Sequence, residues 1–256
     1  MNYVDSLPWP CTADGYGRTL ELKAEKQNPN DPNSWFDGCI GGSPGSSYMV
    51  CFDSIITTEI NYKSSSVNDC GDWIEIFNNL PNLIDLSNWT ITDSRSNEYK
   101  LPKNTIIPSH KYLVLVQDIQ KFRTLFPSVN NSIGPFNFGL DGNGDIIRFY
   151  NANNKLIYSV CFDDSSPFPK EPDGFGNTLE LKDYTGNIND GLNWFAGCLG
   201  GSPGTKYDPN CGTVLTINHS KSELILSPNP CFDYLQVSCK DSRKFRKINI
   251  YNSIGY

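Results

Sequence analysis

Residues 165–207, SSPFPKEPDGFGNTLELKDYTGNINDGLNWFAGCLGGSPGTKY, repeat residues 6–48, SLPWPCTADGYGRTLELKAEKQNPNDPNSWFDGCIGGSPGSSY, at a shift of 159 positions without a gap and with 24 of 43 residues identical. The match reaches one position further back, to Asp5 and Asp164. An internal repeat of this length sets the unit before any finer reading is made. Each copy carries a Pro-aromatic-Pro loop, an Asp-Gly turn, a Thr-Leu-Glu-Leu-Lys strand and a Gly-Gly-Ser-Pro-Gly turn. In the strand, Leu20 and Leu22 alternate with Thr19 and Glu21, and Leu179 and Leu181 with Thr178 and Glu180, the period of a half-buried strand. The first copy follows Met1 by a few residues, so it is expected to lack opening strands and to be poorly ordered or docked on its neighbour. The chain is then expected to be a C-terminal piece of a larger protein.

The spacing predicts one complete unit over 52–207, a partial copy over 1–48, a linker over 208–222 and a small β-rich segment over 223–256. Within the complete unit, strands are expected at 55–62, 72–78, 88–93, 112–117, 145–150, 155–162 and 178–182. The run 112–117 is apolar on both faces and so belongs inside a sheet. Over 55–62, Ile56, Ile60 and Tyr62 are expected on one face, with Thr57, Glu59 and Asn61 on the other. Ile119, Phe122, Leu125 and Phe126 fall on one face of a short helix that stops at Pro127 and covers one end of the unit. Many short strands with frequent turns and one helix fit an all-β, two-sheet sandwich.

Composition narrows the function. The chain has 256 residues, 12% aromatics and a net charge of −7. It has no basic excess with which to neutralise nucleic-acid phosphates. No apolar run is long enough to span a bilayer, so no transmembrane segment is expected. Nine cysteines against two histidines suit disulfides in an oxidising compartment better than zinc.

The ordered motifs INY, GDWIEIFNN, DLSNWTITD, YLVLVQD, GPFNFGLDGNGDIIRFYN and PFP..DGFGNTLELKD...W...CLGGSPG resemble the lamin tail domain in its secreted bacterial form. The resemblance covers 52–207, with a second, partial copy at the start. It implies an immunoglobulin-like β-sandwich, usually non-catalytic, in large secreted or cell-surface bacterial proteins, often beside a phosphatase, nuclease or spore-coat-kinase-like domain. Residues 223–256, with the Ser227-Pro-Asn-Pro230 turn, Leu235, Val237 and IYNSIGY, resemble the beginning of a type IX secretion C-terminal sorting domain. That resemblance implies export by the type IX machinery and attachment at the cell surface.

The cysteines bracket the Gly-Gly-Ser-Pro-Gly turns in the same way in both copies, which suggests Cys39–Cys51 and Cys198–Cys211 disulfides. Cys231–Cys239 and Cys70–Cys161 are further pairings to test, and Cys11 is left over. Free buried thiols are the alternative. Asp141, Asn143 and Asp145 in DGNGD could hold calcium, joined by Asp163 and Asp164, but a Gly-rich hairpin turn is the simpler account. Trp9 and Phe168, with Trp35 and Trp194, could stack on a polysaccharide or plug the open end of the core, and the core is favoured. Glu59 and Glu75 read as solvated strand residues. No motif for a nucleophile, zinc protease or phosphate loop occurs, so no catalytic residue and no cofactor are expected, and any enzymatic activity would lie in other parts of a parent protein. Asp5-Ser-Leu7 and Asp53-Ser-Ile55 resemble bacterial O-glycosylation tripeptides. The expected partners are the secretion machinery and a cell-surface polysaccharide or protein.

Overall fold

In the computed structural model, residues 2–4, 8–48, 51–66 and 69–207 are described, together with the backbone of two strands at 224–227 and 236–239. The tripeptide 5–7 and the linker 208–222 lie outside the described residues. The first copy forms β1 (Arg18–Leu22) and β2 (Trp35–Ile40), an antiparallel pair that is a sheet of its own. The complete unit then runs β3 (Ile55–Asn61), β4 (Trp73–Asn78), β5 (Ile84–Asp85), β6 (Thr90–Thr92), β7 (Glu98–Lys100), β8 (Ile106–Ile107), β9 (Tyr112–Val116), helix α1 (Ile119–Leu125), β10 (Ser132–Ile133), β11 (Gly144–Tyr150), β12 (Leu156–Asp163), β13 (Asn177–Leu181) and β14 (Trp194–Leu199). In the tail, β15 (Leu224–Ser227) pairs antiparallel with β16 (Gln236–Cys239).

Two sheets enclose the core. One has six strands in the order β10-β9-β4-β3-β13-β14, and the other has four in the order β12-β11-β6-β7. Ile74 and Ile76 of β4, Leu113 and Leu115 of β9, Ile147 and Phe149 of β11, and Leu179 and Leu181 of β13 meet between them. The opposite faces of β4 and β9 are also buried. Trp73, Val114 and Val116 turn outward and are covered by Phe122 of α1, so the helix lies over the outer face of the larger sheet instead of at its end. Asp118 starts α1 by accepting the N–H groups of Gln120 and Lys121.

The expected face pattern of β3 needs correction. The register steps from Thr57↔Ile76 to Glu59↔Glu75, leaving Thr58 as the extra residue of a bulge. The bulge reverses the parity of the strand, so Thr57 turns toward the core, where its N–H meets Tyr158 Oη at 2.8 Å, and Glu59 turns outward. Every residue of β3 is buried, because β4 and β13 flank it and both sheet faces are covered.

The strands β2 and β14 lie outside the ranges in which strands were expected. Each carries a central glycine, and at Gly197 an added Cβ would lie 2.1 Å from Glu180 Oε1. The neighbouring carboxylate crosses the strand through the space a side chain would fill.

Cysteine pairing also departs in part from expectation. Cys11 bonds to Cys161, with Cα atoms 6.4 Å apart, and Cys70 is a free, buried thiol. Cys70 lies beside Trp73 on the outer face of the large sheet, whereas Cys161 is on β12 of the other sheet, so Cys70 and Cys161 are separated by the sandwich itself. The structure joins Cys39 to Cys51, with Cα atoms 5.2 Å apart. Cys198 is held in a disulfide. Cys211 and Cys231 lie outside the described residues, as does the side chain of Cys239.

Candidate functional site

Two places gather polar or aromatic side chains from several elements. The first is a row of carboxyl groups across three adjacent strands. Glu75 of β4 stands opposite Glu59 of β3, and Glu59 opposite Glu180 of β13, all on the outer face of the large sheet. After β14 the Gly-Gly-Ser-Pro-Gly turn folds back over this row. Glu59 Oε1 accepts the Ser202 N–H at 2.9 Å and the Thr178 hydroxyl at 2.5 Å. Glu75 accepts the Gly204 N–H at 2.5 Å and the Thr58 hydroxyl at 2.7 Å, and the Ser202 hydroxyl reaches Glu180 at 3.2 Å. The turn can come this close because Gly201 has φ +77° and no Cβ, which would otherwise sit 2.0 Å from Glu59 Oε1.

Burial sets the protonation of the row. Glu59 and Glu75 are each 1% exposed, far from the solvated face the sequence suggested. Desolvation raises all three carboxyls, and it is reinforced at Glu59 by Glu180 and Glu75 and at Glu75 by Glu180. Glu75 is pushed up to about 8, and Glu59 is raised well above the usual range. Burial therefore favours the protonated form across the row, and its carboxyl oxygens act as acceptors for the turn. A general acid or base must reach substrate, whereas these groups are sealed beneath the turn they anchor.

The second place is a cleft of about 520 Å³ between the repeat copies. Trp9, Trp35 and Lys23 line one side, and Phe168, Asn187 and Asp190 the other. The facing loops are partly equivalent, since Pro8-Trp9-Pro10 of the first copy matches Pro167-Phe168-Pro169 of the second. Trp9 and Phe168 are only 5% and 4% exposed, and Trp9 packs edge-on against Tyr3. Trp35 is partly exposed, and its indole N–H donates to the Pro29 carbonyl at 3.2 Å. Trp194, its counterpart, is buried and donates to Ile188 O at 2.8 Å. Asp37, which also lines the cleft, is raised to about 6 by burial despite bonds from the N–H and hydroxyl of Thr12.

The cleft exists because the first hairpin is fastened to the second unit. Besides the Cys11–Cys161 link, buried Arg18 donates to Ser159 O at 3.1 Å and to Gly38 O at 3.2 Å, pairs with Asp53 at 2.9 Å and lies over the Tyr158 ring. Arg148 lies over the Tyr16 ring. The second copy has Lys170 and Asn177 where the first has Cys11 and Arg18, so the docking residues are those the repeat does not share. That asymmetry is visible in the aligned copies, although no local motif announces it.

At the proposed calcium loop, Asp145 is buried and accepts N–H groups from Ser94, Asp141 and Ile146. Asp141 pairs with Arg95 and accepts the Asn143 N–H at 3.0 Å. Asp163 accepts the Ser165 N–H at 2.8 Å. These carboxylates are largely engaged in shaping the turns, and among the described residues no group of three or more His, Cys, Asp or Glu could hold a metal ion.

Comparison with known families bears on the body of this sandwich. Residues 52–163 match the lamin tail domain. The lamin tail domain is an immunoglobulin-like module, and the two packed sheets and scarcity of helix agree with that fold. The matched range covers β3 to β12, and β13 extends the lamin-tail sheet by pairing with β3. None of the curated proteins matches the chain. No helix among the described residues is long and apolar enough to cross a membrane.

Proposed function

We propose that the chain is a non-catalytic spacer and adhesion region of a secreted or cell-surface bacterial protein, built from lamin-tail units in tandem and exported by the type IX route. The observation that carries the spacer reading is the fastening of one copy to the next by a disulfide and by buried Arg18. Such a joint gives a stiff tandem connection where a flexible linker would not. Disulfides at Cys11–Cys161 and Cys39–Cys51 support an oxidising compartment. The resemblance of 223–256 to a sorting domain supports type IX export and surface attachment, with that machinery as partner. Fractionation of the native producer into cytoplasm, outer membrane and medium tests the export reading. Recovery outside the cytoplasm, in a form in which Cys11, Cys161, Cys39 and Cys51 resist alkylation until reduced, is expected. A cytoplasmic, fully alkylatable protein would refute it.

A second reading is favoured by the cleft between the copies. Partly exposed Trp35 beside Lys23, Asn187 and Asp190 suits a cell-surface polysaccharide better than a calcium-dependent ligand, since the carboxylates at 141–145 are engaged by backbone donors. A tryptophan emission shift on adding a polysaccharide, lost in Trp35→Ala, would select this reading. An unchanged spectrum across a broad panel would remove it.

A further inference from the structure

The two copies of the Thr-Leu-Glu-Leu strand have the same residues and different surroundings. In the complete unit, β13 has β14 on one side and β3 on the other, in the register Leu179↔Ile60 and Glu180↔Glu59. Leu179 and Leu181 are both 0% exposed. In the first copy, β1 has the equivalent partner β2 and, among the described residues, no strand on its other edge. Leu20 and Leu22 are accordingly only partly buried.

The polar half of the arrangement is preserved as well. Thr19, Glu21, Gly38, Gly42 and Ser43 match Thr178, Glu180, Gly197, Gly201 and Ser202 at the same shift of 159. The Thr19 and Ser43 hydroxyls both donate to Glu21 Oε1 at 3.0 Å. In the complete unit the Ser202 hydroxyl still reaches Glu180 at 3.2 Å, while the Thr178 hydroxyl turns to Glu59, the carboxyl brought by the neighbouring strand, which also accepts the Ser202 N–H. An added Cβ on Gly42 would lie 2.6 Å from Thr19 Cγ2, so the first turn lies as closely over its own hairpin as the second does.

We infer that the edge of β1 that no described strand pairs is an acceptor for an extended opening strand of the β3 type, with glutamate opposite Glu21 and isoleucine opposite Leu20, supplied by another lamin-tail unit. The pairing is antiparallel strand addition, in which main-chain hydrogen bonds hold the strand and alternate side chains select it. The incoming glutamate takes the donors of Thr19 and the turn, as Glu59 does, and the incoming isoleucine covers Leu20. This inference rests on the tandem-unit reading and is independent of export.

The test uses the intact chain with a synthetic peptide covering residues 54–63, flanked by lysines for solubility, and amide exchange read by mass spectrometry at peptide concentrations up to the millimolar range. At saturation, exchange over 19–22 is expected to slow by at least tenfold, with a Glu→Lys peptide at the position of Glu59 losing the effect. Unchanged exchange over 19–22 would overturn the proposal. Equal slowing by the Glu→Lys peptide would also overturn it, as would slowing confined to β14. Fractionation addresses export separately, so failure here leaves that reading standing or falling on its own evidence.

Discussion

Replacing Glu75 with glutamine should raise stability at pH 8 and flatten its dependence on pH. In the fold Glu75 is raised from an ordinary 4.5 to about 8, chiefly by burial. A carboxyl raised on folding favours the native state fully below its unfolded value. That advantage is lost as pH rises from about 4.5 to about 8, because the unfolded chain ionises first. Each pKa unit is worth about 1.4 kcal/mol, so the full shift sets a ceiling of about 5 kcal/mol. Relaxation of the turn and entry of water reduce this to on the order of 1–3 kcal/mol. At roughly 2–4 °C per kcal/mol for a chain of this size, the native melting temperature should fall by about 2–12 °C between pH 5 and pH 8. The glutamine amide keeps a carbonyl acceptor for the Gly204 N–H and cannot ionise, so E75Q should lose a good part of that fall. Thermal unfolding followed by circular dichroism at half-unit steps from pH 4.5 to 8.5 decides the matter. Parallel curves for the two proteins would show that folding does not raise the Glu75 carboxyl.

Three further outcomes follow from particular contacts. Gly201→Ala, with φ +77° and no room beside Glu59, should cost about 2–4 kcal/mol in denaturant unfolding, whereas Gly41→Ala, at a similar φ with open space around it, should cost less. Cys11→Ser opens a link across 150 positions, which the chain-entropy estimate values at about 5 kcal/mol and typical measurements at about 2–4, and it should selectively speed amide exchange in β1 and β2. Arg18→Met, which removes the contacts to Ser159, Gly38 and Asp53, should lower stability by about 2–4 kcal/mol and speed exchange in the same hairpin while leaving β13 protected. A hairpin still as protected as β13 after either change would mean that these two contacts do not hold it.

Alternation and apolar runs placed β3, β4, β9, β11, β12 and β13 within a residue or two, since each brings apolar side chains to the core between the sheets. The two-residue strands β5, β8 and β10 carry too little pattern to be read, and β2 and β14 were masked by glycines whose purpose is to let a carboxylate pass. The solvated reading of Glu59 and Glu75 failed for a more general reason. A carboxylate on an alternating strand looks the same whether water or a returning turn lies over it. Here the covering element arrives well over a hundred positions later, from the Gly-Gly-Ser-Pro-Gly turn. The repeat itself held a usable signal: a turn kept identical in both copies, beside a strand glutamate kept in both, is better explained by their mutual contact than by exposure.

The Cys11–Cys161 pair marks where the comparison of copies teaches most. Residues shared by the copies, Thr19 and Thr178, Glu21 and Glu180, Gly42 and Gly201, build the hairpin and its covering turn. Residues that differ do the joining. Cys11, Tyr16, Arg18 and Asp37 stand where the second copy has Lys170, Phe175, Asn177 and Ala196, and three of them touch β11 or β12 directly. The fourth, Asp37, holds Thr12 beside Cys11. A disulfide at Cys11 requires β12 within about 6 Å, and Arg18 can be buried only where Ser159 O and Asp53 accept its donors. The first copy is thus fitted to have a second unit after it, while its β1 edge remains suited to receive a strand. The hairpin thus has two halves: shared residues that shape it and its covering turn, and individual residues that lock it onto the unit that follows.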